Sequence, residues 1–330
     1  MGFVLPDGRS GAAATGLSHK TSERPMQPTD RMFSGSIGKT YVAAVMLQLA
    51  DERRIELDTK ISHWFGDDEW FNRLPNAQDI TLRMLLNHTT GIPRHIMTPG
   101  FQAAVKAQPQ KVWRPDELIA YVLDAEPLFP AAQGWSYADT NYILVGMIIE
   151  RVTGRTYYQE LTDRILKPLR LTDTTPADRP DLPGLISGYT SEENIFGLPV
   201  EVATDGRYAI NPQLEWTGGG LVTTARDLAR WAWLLYDGHV LPDASLKQML
   251  DGVPATHPSI PSYGLGAIIR TSGHGPAFGH YGWVPGYVSG MAYYADHRIA
   301  VAVQVNADTG VGGSALPDLL DALADELTAK

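Results

Sequence analysis

The 330-residue chain contains no cysteine, which excludes disulfide staples, thiolate metal sites and cysteine nucleophiles. It has no apolar run approaching the roughly 18 residues that a bilayer-spanning helix needs, and no repeat or low-complexity tract. Nor is there a basic excess. With 27 Lys and Arg against 37 Asp and Glu, the formal charge is −10, which argues against nucleic acid or an anionic membrane surface as partner. No basic stretch followed by an apolar run opens the chain, so no secretion leader is visible. The lack of cysteine fits cytosol and periplasm alike, and the compartment and oligomeric state stay open. What the chain does have is apolar matter: 44% hydrophobic against 19% charged residues describes a folded protein with a large core.

Residues 2–18 are expected to form two strands joined at Pro6-Asp7-Gly8. From Ser36, the residues Tyr41, Val42, Val45, Met46 and Leu49 recur at helical spacing, predicting a buried helix that starts at Ser36 and ends near Arg53. "TLRMLLNHTTGIP" predicts a short helix stopped by Gly91 and Pro93. "TNYILVGMIIERVTG" predicts a helix closed by Gly154, "TYYQELTDRIL" one ending before Pro168, and "TARDLARWAWLLYDG" one capped by Thr224. Residues 172–220 are rich in Pro and Gly and weakly periodic, so they are expected as surface loops over the helices. "YGLGAIIR", "AFGHYG", "GYVSGMAYYA" and "RIAVAVQVNA" are β-rich, and "LPDLLDALADEL" closes as an amphipathic helix. Strands at both ends with helices between predict an α/β (α+β) chain. Residues 1–60 and 220–330 would share one sheet, residues 61–219 would be mainly helical, and the site would lie between them.

The stretch "MFSGSIGKTYVAAVML" admits three chemistries. Gly38-Lys39-Thr40 ends like a phosphate loop, but the first glycine of that motif falls on Phe33, whose side chain forbids the tight turn. Ser34-Gly35-Ser36-Ile37-Gly38 approximates a nucleophile elbow with His280 as a late partner, yet too few strands precede it for a parallel sheet. Ser36-Ile37-Gly38-Lys39 is a complete S-x-x-K. One helical turn puts hydroxyl and amine on the same face, and the helix dipole favours negative charge on the Ser36 oxygen. A buried Lys39 is expected to have a lowered pKa and to act as base or proton relay. For those four residues alone, a capping serine and a solvent-facing lysine are the plain alternative.

Further segments carry a resemblance. "SYADTNYILVGMIIERVTGRTYYQELTDRILKPLRLTDT" resembles the region around the Tyr-x-Asn element of class C β-lactamase-like serine hydrolases. That family includes β-lactamases, D-alanyl-D-alanine carboxypeptidases, D-aminopeptidases and esterases. "LLNHTTGIP" is similar to its helix-and-turn LLxHTSGLP, and "TGGGLVTTARDLARW" to its segment entering a late helix. "GHYGWVPGYVSG" resembles the strand on which His-x-Gly replaces Lys-Thr-Gly. The resemblance runs from about Gly2 to the C-terminus. It implies a β-lactamase/transpeptidase-like fold, with an antiparallel sheet flanked by helices and a mostly helical insertion.

Carried over, the resemblance makes Ser36 the acylated nucleophile, Lys39 its activating partner and Tyr137 the proton relay. His280, Tyr281 and Gly282 would edge the cleft, with Gly282 letting the substrate backbone approach, and Asp139 would meet substrate beside Tyr137. The backbone N–H groups of Ser36 and Trp283 would form the oxyanion hole. No metal or cofactor is implied, and the partner is a small-molecule or short-peptide substrate. Two positions depart from the pattern. Asp139 stands where Asn is usual and, when ionised, only accepts hydrogen bonds; it would pair with Lys39 or favour a substrate that offers a donor. Tyr281 stands where Thr is common, so recognition of a substrate carboxylate is altered. The implied activity is hydrolysis of ester or amide carbonyls through an acyl-enzyme, of esterase or D-amino-acid peptidase or carboxypeptidase type. A β-lactamase is the alternative, and a penicillin-binding sensor without turnover the alternative of another class. Trp113, Trp135, Trp216, Trp283 and Tyr281 either line an acyl pocket or belong to the core. His19, His63, His88, His95, His239, His257, His274 and His297 have no metal-ligand spacing and are expected on loops or at the surface.

Overall fold

Strands from the two chain ends close one eight-stranded sheet in the computed structural model, which describes residues 1–310 and 315–329. In chain order they are β1 (Gly2–Val4), β2 (Ser10–Ala12), β3 (Val253–His257), β4 (Ile260–Tyr263), β5 (Ile268–Ser272), β6 (Gly275–Val284), β7 (Tyr287–Tyr294) and β8 (Ile299–Val305). Their spatial order is β3-β4-β5-β6-β7-β8-β1-β2, and every neighbouring pair is antiparallel. The antiparallel sheet built from both chain ends is therefore present, and among the described residues there is no parallel sheet of the kind a nucleophile elbow needs. β1 closes on β8 in the register Gly2↔Ala302 and Val4↔Ala300. The hairpin turn falls at Asp7-Gly8 as expected, but its second strand stops at Ala12, and Leu17–His19 pairs instead with Arg24–Pro25.

Four helices position the site: α1 (Gly38–Asp51), α2 (Asp139–Thr153), α3 (Ala225–Tyr236) and α4 (Ala315–Thr328). Alternation along β8 feeds two cores. Val301 and Val303 pack with Leu316, Leu320 and Ala324 of α4, whose spacing of four keeps them on one helix face. Ala300 and Ala302 point the other way, into the larger core that holds Leu228, Trp231 and Leu235 of α3. The caps read from sequence are in place: Thr224 Oγ1 accepts from Asp227 N at 3.2 Å, and Gly154, at φ 70°, donates to Glu150 O at 2.8 Å. Among the described residues, no helix is long and apolar enough to cross a membrane.

Three expectations need correction. The helix at "TLRMLLNH" ends at Asn87, before Gly91, because His88 takes the left-handed conformation at φ 64°. His88 does lie on a turn, and His95 opens the short 3-10 turn His95–Met97, but both are fully buried, which corrects the surface alternative. The 172–220 segment is irregular, but it is more than a covering: Leu185, Ile186, Tyr208 and Trp216 enter the core. Phe33, the residue that disables a phosphate loop, is core as well, its ring 4.7 Å from that of Tyr208.

Candidate active site

Ser36 sits in a single 3-10 turn, Gly35–Ile37, that feeds α1, one turn before the helix proper. Two glycines let this turn lie flat against β6. Gly35 has φ +52°, and a Cβ there would come within 2.6 Å of the Trp283 backbone nitrogen. At Gly282 a Cβ would meet the Ser34 carbonyl oxygen at 2.0 Å and Ser289 Oγ at 2.4 Å. Gly282 was expected to make room for substrate; the room is taken by the protein's own Ser34 carbonyl, which Ser289 Oγ clamps at 2.6 Å. The ladder between β5 and β6 stops at the pair Ile268↔Gly279, so residues 280–284 border the cleft on that side. The backbone amide of Trp283 thus lies beside the Ser36 turn.

Lys39, one turn on, is fully buried and gives all three ammonium donors to protein: Ser36 Oγ at 3.1 Å, Asp139 Oδ1 at 2.7 Å and the Gly218 carbonyl at 2.5 Å. Asp139 opens α2, where the helix dipole favours its negative charge. Its second oxygen accepts Arg94 Nε at 3.1 Å and Nη2 at 2.8 Å. Burial alone would raise the Asp139 pKa, but the Arg94 and Lys39 charges hold it well below the carboxylate range. Lys39 follows from this. Burial pushes its pKa down, yet the adjoining carboxylate outweighs burial and the net shift is upward. The expected lowered lysine is therefore corrected: with an acid where an amide was usual, Lys39 stays an ammonium.

Tyr137 lies between Lys39 and Arg94, its ring centroid 4.8 Å from Lys39 Nζ and 5.3 Å from the Arg94 guanidinium. Its hydroxyl is buried without a hydrogen-bond partner among the described residues. Burial raises its pKa, although Lys39 pulls the other way. His88 holds this segment from both sides: Ser136 N donates to its carbonyl at 3.1 Å and Ala138 N to its Nδ1 at 3.3 Å. His280 is buried on the cleft wall, and burial, then the Lys39 charge, push its pKa down to about 3. Nδ1 lies 2.6 Å from the Tyr281 carbonyl and Nε2 2.8 Å from the Tyr263 hydroxyl. Both ring nitrogens of this neutral imidazole are thus engaged within the protein, so His280 shapes the wall and has no free nitrogen for substrate.

These groups open into a cleft of about 310 Å³. Tyr281 and Trp283 form one wall, Ile260 and Ile268 another, and Ser36 lies among them. Trp283 is 43% exposed at the mouth, whereas Trp113, Trp135 and Trp216 are core.

The family model described as Beta-lactamase matches residues 3–326. The chain belongs to the Beta-lactamase family. Among its relatives, penicillin-binding protein 4* of Bacillus subtilis (strain 168) is 26% identical over 297 residues, 86% of this chain and 62% of the relative. Of solved structures, a D-stereospecific amidohydrolase from Streptomyces sp. is 32% identical with a TM-score of 0.79, covering 88% of this chain and 86% of that one. A D-amino acid amidase from Ochrobactrum anthropi SV3, complexed with L-phenylalanine, is 25% identical with a TM-score of 0.85, covering 99% and 94%. This Beta-lactamase-family chain spans 58–62% of the length of the curated relatives it first matches.

Sequence reasoning missed Arg94, Glu215 and the Gly218 carbonyl. Arg94 follows the "HTTGIP" turn with no spacing that ties it to Asp139, and only the run "TGGG" hinted at close backbone approach near Gly218. Glu215 lies in the same segment. Its pKa is pushed up to about 7 by burial, reinforced by the Asp139 charge and opposed by Lys39 and Arg94. A carboxyl raised in the folded state contributes stability that is complete below its ordinary 4.5 and lost as pH rises through about 7. The urea midpoint of the protein is therefore expected to fall between these pH values. Glu215→Gln should flatten that slope, and an unchanged slope in the variant would remove Glu215 as its source.

Proposed function

We propose that the chain is a serine hydrolase working through a covalent acyl-enzyme on amide and ester carbonyls, with amides of D-amino acids and short D-peptides as its main substrates. The observation that carries this is the contact of Lys39 Nζ with Ser36 Oγ at 3.1 Å, at the base of an open cleft and beside Tyr137. Lys39 is already protonated, so it orients Oγ and stabilises developing negative charge. Tyr137 is the group left to move the proton: as Ser36 Oγ attacks the carbonyl carbon, Tyr137 accepts the Oγ proton and passes its own to the leaving nitrogen or oxygen. The Ser36 and Trp283 amides receive the oxyanion. Water then attacks the ester carbonyl, and Ser36 recovers its proton along the same route.

The amide preference is supported by the likeness to an amidohydrolase and an amidase, and by an apolar wall suited to an amino-acid side chain. The test is a panel of D-alanine p-nitroanilide, p-nitrophenyl butyrate and nitrocefin on wild type and Ser36→Ala, with intact-mass detection of adducts. Turnover of the anilide, an adduct located at Ser36 and loss of both in Ser36→Ala are expected. A stable adduct with nitrocefin and no turnover of any substrate would favour a penicillin-binding sensor. Equal activity in Ser36→Ala would overturn the site.

A further inference from the structure

Asp139 has no donor to offer a ligand, and both of its buried oxygens already serve protein cations. Oδ1 is held by Lys39, and Oδ2 by two nitrogens of Arg94. Whatever hydrogen bond an amide at this position would have donated to a substrate, Asp139 cannot supply. Arg94 can. Its Nε and Nη2 edge is committed to Asp139, and the planar fork leaves Nη1 on the opposite edge, with no acceptor among the described residues. The side chain is 35% exposed and lines the cleft together with Ser36 and Tyr137. It is also held in place. Thr140 Oγ1 donates to Pro93 O at 2.8 Å and accepts His95 N at 3.0 Å, fastening the residues on either side of Arg94 to the first turn of α2. The guanidinium further lies over the Tyr137 ring, 5.3 Å from its centroid.

Resting on the hydrolase reading, we propose that Arg94, carried by Asp139, is the residue that selects the acyl part of the substrate. Nη1 donates to a hydrogen-bond acceptor, such as an amide carbonyl, a few bonds from the scissile carbon. Asp139 and Arg94 act as one unit, in which the carboxylate positions and the guanidinium donates. The substrate class this favours is N-acylated D-amino-acid amides and internal D-peptide bonds, which carry such an acceptor. Acyl groups of equal size without one are disfavoured. A charged hydrogen bond to an acceptor in a half-buried site corresponds to a preference of about tenfold or more.

The experiment compares N-acetyl-D-alanine p-nitroanilide with 2,4-dimethylpentanoyl p-nitroanilide of the same configuration at C2, which keeps its branched skeleton but lacks the acceptor. Wild type should prefer the acetyl compound in kcat/KM by about tenfold or more, chiefly through KM. In Arg94→Met both substrates are expected to slow, because Asp139 loses a partner, and their ratio should collapse to within about twofold of the leaving-group-matched background. Arg94→Lys keeps a positive charge for Asp139, but a compact ammonium drawn to the carboxylate has no second edge reaching the cleft as the guanidinium plane does, so the ratio should collapse there as well, whether or not the methionine variant folds. In parallel, Ser36→Ala is titrated with N-acetyl-D-alanine and with 2,4-dimethylpentanoate, followed by tryptophan fluorescence. Tighter binding of the former, lost when Arg94→Met or Arg94→Lys is added, supports the proposal even if neither anilide is turned over, an outcome that would count against the hydrolase reading alone. No preference in wild type and Ser36→Ala, or a preference that survives both substitutions, overturns the role of Arg94.

Discussion

Lys39→Met is expected to lower kcat/KM by about a thousandfold or more and to destabilise the fold by about 3–5 kcal/mol. Both effects come from one buried ammonium. Its removal leaves Ser36 Oγ without its 3.1 Å donor, the Gly218 carbonyl without a partner and Asp139 Oδ1 buried and unpaired. The two effects separate in a double variant. Lys39→Met with Asp139→Asn has no buried unpaired charge, since Arg94 reaches solvent, so much of the lost stability should return. Activity should not return, because nothing replaces the positive charge at Ser36. Denaturant midpoints and kcat/KM on the single and double variants measure this. If the double variant recovers activity along with stability, Lys39 is a structural cation and its role at Ser36 is wrong. A single variant within tenfold of wild type would say the same.

The charge state behind that prediction was the part of the site least legible in the sequence. Ser36, Lys39 and Tyr137 could be picked out because a four-residue motif has a fixed geometry on a helix and because four further segments answered it in order. The sheet was legible for a similar reason: β-rich runs at both ends, one feeding α4 and the other core by alternation, leave few ways to pair. The protonation of Lys39 depends on Asp139, 100 residues away, and on Arg94, which sets the charge of Asp139. No periodicity encodes a three-body ion pair. Glu215 and Gly218 reach the site from an aperiodic segment, where sequence pattern is silent about what is buried. His88 was misjudged for the opposite reason: a histidine after a helix looks like a surface cap, and only the packing of Tyr137, Tyr142 and Tyr263 around its ring makes it internal.

Gly282→Ala tests whether the nucleophile turn is held by contact with β6. The added methyl would fall 2.0 Å from the Ser34 carbonyl oxygen and 2.4 Å from Ser289 Oγ, and two of the three nearest atoms belong to the Ser34 backbone, which yields poorly. Relief requires the Ser34 carbonyl to withdraw, which breaks its 2.6 Å clamp to Ser289 and carries the 3-10 turn away from Trp283. Overpacking of this kind costs about 1–3 kcal/mol. The larger consequence is catalytic: moving the Ser36 amide relative to the Trp283 amide spoils one oxyanion donor, for which a loss of about a hundredfold in kcat is expected. KM should change less than kcat, because the Ile260 and Ile268 wall is untouched. Gly290→Ala on the paired strand is the control. Its methyl would meet only side-chain atoms, Leu320 Cδ1 at 3.3 Å and Leu316 Cδ2 and Tyr281 Cδ1 at 3.5 Å; only the first is tight and it can shift within the α4 layer, so its kcat should stay near wild type. A Gly282→Ala protein as active as Gly290→Ala would show that the Ser36 turn does not take its position from this strand, and the oxyanion hole would then have to be sought elsewhere in the cleft.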